Sequence, residues 1–326
     1  MPRNARELDR RTLRSALALD RGPRAWRAAA RVHSLGRVAE AAESGGLREL
    51  LGGVSEPRET SDRDLADRLE RADPDEEQAL MADLGVGLVC VGDADYPPLL
   101  ASAPDPPAAL WVRGELVLGD AWSIAVVGAR RATPYGVEQA GRIASALAGA
   151  EVTVISGAAR GIDAEAHRGA LRAEGRTVAI VGGGLANPYP PEHLDLLDKI
   201  VAAGGAVVSE CPMRAEATPD RFPSRNRIIA GMSLGTLVIE AAHRSGAIIT
   251  AGMAVDLGRL CMALPGSVSS GRSSGCHQLI SSMQAALIES SDDALRLLVE
   301  HAATVRGAEA LAAAGIRPPT QVQPMP

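Results

Sequence analysis

Residues 123–170 constrain the fold more than any other stretch of the chain; they read SIAVVGARRATPYGVEQAGRIASALAGAEVTVISGAARGIDAEAHRGA. The run at 124–127 is apolar, rich in β-branched residues and closed by Gly128, the pattern of a short buried strand. Pro134 stands where a helix can begin, and Val137, Ala140, Ile143, Ala144 and Leu147 then fall on one helical face. A second apolar run at 152–155 predicts another strand, and Gly161 opens a second helix running to about residue 173. Both strands are apolar at consecutive positions, so neither has a solvated face. Strands of that kind belong to a parallel sheet covered by helices on both sides.

The chemistry is expected at the strand ends. Gly128, Ala129, Arg130 and Arg131 follow the first strand, and Ser156, Gly157, Arg160, Gly161 and Asp163 follow the second. In an open α/β sheet, ligands bind outside the carboxyl ends of the strands, where helix N-termini offer unpaired N–H groups to an anion. Glycine admits close backbone approach, and arginine pairs with phosphate through charge-assisted bonds. The pattern therefore predicts a phosphate site. The competing reading makes the glycines tight turns and the arginines solvated.

Downstream, the alternation continues. A strand is predicted at 177–181, followed by Gly182, Gly183 and Gly184, and Pro191 starts a helix carrying Leu194, Leu197 and Ile200. Residues 206–209 form a strand ending in Glu210, which either pairs with a nearby arginine or binds a ribose or base edge. In FPSRNRIIAGMS at 222–233, a helix starting at Pro223-Ser224 places Arg225, Asn226 and Arg227 in its first turn. Cations there oppose the helix dipole unless an anion lies between them, or unless Glu216 and Asp220 pair with them. A strand at 236–240, Ser245-Gly246, a helix to Leu257 and a last strand at 260–264 complete the pattern. Residues 267–275 read as a mobile Ser/Gly loop, and 276–288 and 294–299 as helices.

Ahead of this core, strands are expected at 88–91 and 110–112, with Pro104, Pro106 and Pro107 breaking regular structure between them. Residues 1–82 show helical spacing punctuated by Gly22-Pro23 and paired glycines, which predicts a small N-terminal helical domain and linker. Gly22-Pro23-Arg24 either opens a helix against DNA backbone or belongs to a solvated appendage. The core spans 83–300, and 301–326 is expected to be a disordered tail.

The net charge of −6 gives no global field to attract nucleic acid, so the five arginines at strand–helix junctions would form a local cationic patch on an acidic body. Cys90, Cys211, Cys261 and Cys276 show no CxxC spacing, so neither a metal site nor a disulfide framework is expected. No apolar run reaches membrane-spanning length, and a soluble cytoplasmic protein is the expectation.

Taken together, VVGARRATPYG at 126–136, SGAARGIDAEAHRGAL at 156–171, GGGLANPYPPEH at 182–193, SECP at 209–212, FPSRNRIIAGMS at 222–233 and VIEAAHRSGAIITAGMAVDLGR at 238–259 resemble the DprA/Smf (DNA-processing protein A) family. Their number, order and spacing carry the resemblance, which covers about 200 residues. It implies an α/β fold with a Rossmann-like, doubly wound, mostly parallel sheet behind the N-terminal helical domain. It also implies a homodimeric single-stranded DNA-binding protein that works with RecA and single-strand-binding protein in transformation and recombination, without catalysis or a cofactor. The implied DNA or phosphate contacts are Gly128, Arg130, Arg131, Ser156, Gly157, Arg160, Gly161, Gly182, Gly183, Arg225, Asn226, Arg227, Ser245 and Gly246. The chain departs from the family pattern at Gly275-Cys276-His277, and at Met283-Gln284 where a glycine is common. The C-terminal winged-helix domain of many members is expected to be absent or truncated. With few aromatics available, of which Tyr135, Tyr189 and Phe222 lie nearest the site, binding is expected to be backbone-dominated and salt-dependent.

The alternative is a nucleotide-binding or nucleotide-hydrolysing protein using Glu210, Asp163 or His167. No paired-carboxylate or nucleophile–base spacing supports it, and no GxGxxG with a later acid is present.

Overall fold

The computed structural model describes residues 10–20 and 62–304 and the single positions 37, 40, 41 and 44. The helix opening expected at Gly22-Pro23-Arg24 and the tail beyond 304 lie outside the described residues. Among the described residues, the helices α1 (Arg10–Leu19), α2 (Asp62–Arg71) and α3 (Pro74–Leu84) precede the sheet. α3 begins where the Asp73 carboxylate accepts the N–H groups of Asp75 and Glu76, and ends at the left-handed Gly85. Leu13 and Leu19 of α1, Leu69 of α2 and Met81 of α3 are buried in one cluster with Val86, Leu88 and Trp111 from the start of the sheet. The N-terminal helices thus bury their apolar faces against the core.

The sheet begins with β1 (Val86–Cys90), the short helix α4 (Pro98–Ala101) and β2 (Ala109–Gly114). The alternating region follows: β3 (Ser123–Val127), α5 (Pro134–Gly149), β4 (Thr153–Ser156), α6 (Ile162–Arg172), β5 (Thr177–Ile180), α7 (Leu194–Ala202) and β6 (Ala206–Ser209). It continues through α8 (Arg221–Met232), β7 (Gly235–Val238), α9 (Gly246–Asp256), β8 (Leu260–Ala263), α10 (Ser274–Ser281), β9 (Ala286–Leu287) and α11 (Ser291–Ala302). The strand order is β1-β2-β6-β5-β4-β3-β7-β8-β9. β2 pairs antiparallel with β1 and β6, and the other pairings are parallel. This is the mostly parallel, doubly wound α/β architecture expected.

Every residue of β3, β4, β5, β6 and β7 is buried, as a sheet covered on both faces requires. Ile124, Val126, Ile143 and Leu147 are buried together between β3 and α5. Truncating Ile143 to alanine removes contacts worth about 2–5 kcal/mol. β3 pairs with β4 on one side and β7 on the other, so winding reverses at this strand. That reversal opens a crevice at the carboxyl edge of the sheet.

Three boundaries differ from the sequence reading. α8 starts at Arg221, two residues before Pro223, because proline is tolerated in a helix's first turn. The helix expected over 276–288 ends at Ser281; Met283 takes a left-handed φ of 56°, and Ala286–Leu287 adds a ninth strand beside β8. Ile288 is fully buried and donates its N–H to the Ala263 carbonyl, a long-range bond that local periodicity does not encode. Within the loop expected at 267–275, Gly271–Ser273 forms a 3-10 turn leading into α10.

The four cysteines are free and buried. Among the described residues, no helix is long and apolar enough to cross a membrane, and no group of three or more His, Cys, Asp or Glu side chains is placed to hold a metal.

Candidate functional site

The loops after β3 and β7 meet at the crevice and are pinned together by Glu240, which is 1% exposed. Its backbone carbonyl accepts the Ala129 N–H at 2.7 Å, and its carboxylate accepts the Thr133 N–H at 3.0 Å and the Thr133 hydroxyl. The Thr133 hydroxyl in turn accepts the Gly136 N–H and caps α5. This fixes the loop carrying Arg130 and Arg131. Both side chains are exposed, and neither makes an ion pair among the described residues.

α8 forms the opposite wall. Its Arg225 is buried and donates to the carbonyls of Gly157 and Ile180, joining the loop after β4 to the end of β5. A β-carbon on Gly157 would lie 2.0 Å from the Arg225 guanidinium, so any side chain there would have to displace it. Burial lowers the Arg225 pKa to about 10, and the charge of Asp163 opposes the shift. Burial raises the Asp163 pKa, against the pull of Arg225 and of the Ala159 and Gly128 N–H groups. Gly161, at φ 79°, brings its loop against the Ala129 carbonyl, where a β-carbon would approach to 2.3 Å. The glycines at these positions serve the contact of one loop with another.

Between the walls lies a cavity of about 790 Å³. Phe222 and Tyr189 stand at it with their ring centroids 6.1 Å apart and planes at 67°. The Arg130 guanidinium lies 4.7 Å from the Phe222 centroid, and that of Arg225 5.8 Å. Arg160 lies 5.5 Å from the Tyr189 centroid and donates to its hydroxyl. The N-terminus of α9 supplies Ser245, Gly246 and Ala247 to the wall, held by Asn226, which donates to the Gly246 carbonyl at 3.3 Å. The Ser245 hydroxyl oxygen is buried with no hydrogen-bond partner among the described residues. Arg272 closes the rim, donating to the Arg131 carbonyl at 3.0 Å. Exposed arginines, two rings and a helix N-terminus on one concavity suit a ligand carrying phosphates and planar bases.

Of the DNA or phosphate contacts that the resemblance implied, Gly128, Arg130, Arg131, Arg225, Asn226, Ser245 and Gly246 line this cavity. The others do not. Ser156 is buried and donates to the Val126 carbonyl. Gly157 and Gly161 are occupied by protein contacts, Gly182 packs on the Phe222 ring, and Gly183 packs on Ala217. Arg160 is at the rim, bound to Glu192. Arg227 is 19% exposed, pairs with Glu210 and lies 3.9 Å from Asp105. The helix-dipole argument for an anion between Arg225 and Arg227 therefore fails. The earlier helix start moves both beyond the first turn, where Arg225 donates to backbone carbonyls and Arg227 to the Glu210 carboxylate.

Glu210, Asp163 and His167 do not meet. Glu210 is engaged by Arg227, and only Asp163 reaches the cavity wall. His167 is buried against the Thr177 hydroxyl at 2.7 Å, and burial drives its pKa to about 3. Sequence reasoning missed Arg272, placed in a loop expected to be mobile, and the seat of Arg130 on Phe222. The latter had a signal in Phe222 as the chain's single phenylalanine beside a basic run.

Comparison with known proteins bears on this geometry. The family model described as DNA recombination-mediator protein A matches residues 87–299. Protein Smf of Escherichia coli is 45% identical over 186 residues, 57% of this chain and 50% of that protein. The chain spans about half the length of the first curated relatives it matches. The X-ray structure of DNA processing protein A from Streptococcus pneumoniae superposes with a TM-score of 0.68 at 33% identity, over 79% of this chain and 90% of that one. The Helicobacter pylori protein, solved for its single-stranded DNA binding mode, superposes with a TM-score of 0.59 at 25% identity, over 66% and 96%.

Proposed function

The chain belongs to the DNA recombination-mediator protein A family, and we propose that it binds single-stranded DNA in the cavity at the carboxyl edge of its sheet. In this reading it protects the strand and promotes RecA loading during recombination or transformation. It acts in the cytoplasm as a homodimer, alongside single-strand-binding protein.

One observation carries the DNA reading: the exposed Arg130 and Arg131 share a cavity with Phe222, Tyr189 and the N-terminus of α9. The arginines and the helix N-terminus suit backbone phosphates, which position a strand without reading its sequence. The two rings suit stacking on bases, so the binding is less purely backbone-dominated than composition suggested. The acidic body, with a net charge of −6, confines attraction to this patch. The single-stranded DNA binding mode described for the Helicobacter pylori relative supports the same use of the fold.

The test is fluorescence anisotropy of labelled oligo-dT with the full chain, in competition with unlabelled duplex and with a mononucleotide. Micromolar or tighter binding, displaced by single strand and not by mononucleotide, is expected. A folded protein that ignores oligo-dT and binds the mononucleotide would instead support a nucleotide ligand.

A further inference from the structure

α8 carries two of the cavity's features, Phe222 and Arg225, yet its own start is not held by a conventional cap. Asp220 occupies the N-cap in a helical conformation, and its side chain does not cap the helix. The residue that opens the helix, Arg221, is anchored across the chain. Its guanidinium donates to both carboxylate oxygens of Asp20, at 3.1 and 2.9 Å, and to the sulfur of Cys211. Asp20 immediately follows α1, 201 positions away. Its side chain is 20% exposed and that of Arg221 11%, so the fork is largely withdrawn from water. A bidentate arginine–carboxylate pair in such a place fixes orientation as well as distance. Cys211 follows β6, and its N–H is held by the Ser209 hydroxyl. The first turn of α8 is therefore clamped between the N-terminal helices and the end of β6.

The next residue is Phe222, whose ring packs on Gly182 and under the Arg130 guanidinium. We propose that Asp20 and Arg221 are positioning residues for single-stranded DNA binding: the N-terminal helices set the register of α8 through this pair, and with it the seat of Phe222 and Arg130. The inference rests on the DNA reading above. It gives the N-terminal helices a role at the site although Asp20 and Arg221 are not among the residues lining the cavity.

Direct participation and positioning predict opposite signs. If Arg221 were a phosphate contact masked by Asp20, Asp20→Asn would release it and tighten binding. If the pair positions α8, Asp20→Asn weakens oligo-dT binding about fivefold, in the range of couplings carried through packed elements. The salt slope stays unchanged, because no phosphate contact is lost. Amide hydrogen exchange in the first two turns of α8 accelerates in the same variant without DNA. Arg221→Lys keeps the charge and loses the fork, and it is expected to weaken binding in the same way should Asp20→Asn fold poorly. Arg214→Ala breaks the exposed pair with Glu76, another link to the N-terminal helices, and is expected to leave binding intact. Unchanged or tighter binding by folded Asp20→Asn and Arg221→Lys overturns the proposal, as does an equal loss in Arg214→Ala. Failure of the wild type to bind oligo-dT would defeat the DNA reading, while the exchange comparison would still decide whether the pair orders α8.

Discussion

Replacing Arg130 and Arg131 together by alanine isolates the electrostatic part of the cavity. Both side chains are exposed and without ion pairs among the described residues, so their loss strands no buried partner. The fold depends on the backbone of this loop, which Glu240 holds; the side chains take with them the Arg130 ring contact at 4.7 Å and a charge that favours ionised Asp163 but disfavours charged Arg225. The melting temperature should therefore barely move. Each arginine on a phosphate contributes a slope of about −0.7 to log K against log salt for a single strand. Two contacts contribute about −1.4 on the same basis. Extrapolated from a 1 M reference, they are worth about 1.6 kcal/mol at 0.15 M salt and about 2.5 kcal/mol at 0.05 M. The variant should bind oligo-dT about 15-fold more weakly at the higher salt and about 65-fold more weakly at the lower. Anisotropy titrations at four or five salt concentrations measure both quantities. Parallel salt lines for wild type and variant would refute the reasoning, whatever the loss in affinity, because they would mean that no phosphate contact had been removed.

Phe222→Leu should behave in the complementary way, losing about 1–3 kcal/mol of affinity from stacking with its salt slope unchanged, in the same titrations. Arg225→Met removes two bonds to buried carbonyls and one of the charges that act on the buried Asp163, so denaturant unfolding should register a loss of about 2–6 kcal/mol. Arg227→Ala should leave oligo-dT affinity and slope as in wild type, because the side chain is engaged by Glu210; a loss like that of the Arg130 and Arg131 double variant would contradict this assignment. Burial raises the Glu77 pKa to about 7 although its carboxylate accepts the Met213 N–H. The folded state then holds a proton that the unfolded chain has released, so this residue's stabilising contribution is complete below about pH 4.5 and is lost as pH rises to about 7. Its full span is on the order of 3 kcal/mol. Comparing unfolding of wild type and Glu77→Gln at pH 5 and pH 8 should show the variant gaining relative stability at the higher pH, and no change in the difference would refute the assignment.

The parallel core of the sheet and the position of its carboxyl edge are legible in the amino-acid pattern. Runs such as SIAVV and TVIS have no polar face, so they can only be covered on both sides, and the glycines and helix starts after them mark the carboxyl edge. Gly128, Arg130, Arg131, Ser245 and Gly246 could be placed at the site for that reason: strand–helix junctions of a doubly wound sheet converge whatever the details of packing.

Tertiary structure decided which of the junction residues face the cavity. Arg225 and Arg227 look alike in the sequence, yet one is spent on the carbonyls of Gly157 and Ile180 and the other on Glu210. Those partners lie 17 to 68 positions away. The glycines after β4 and β5 read as space for a ligand, and the folded chain fills that space with Arg225, Phe222 and its own loops. Met283 took a left-handed conformation that no local signal predicts for methionine, because the long-range pairing of β9 with β8 requires the chain to turn there. Burial, ion pairing and close approach depend on which distant residue arrives opposite, and periodicity along the chain carries no record of that.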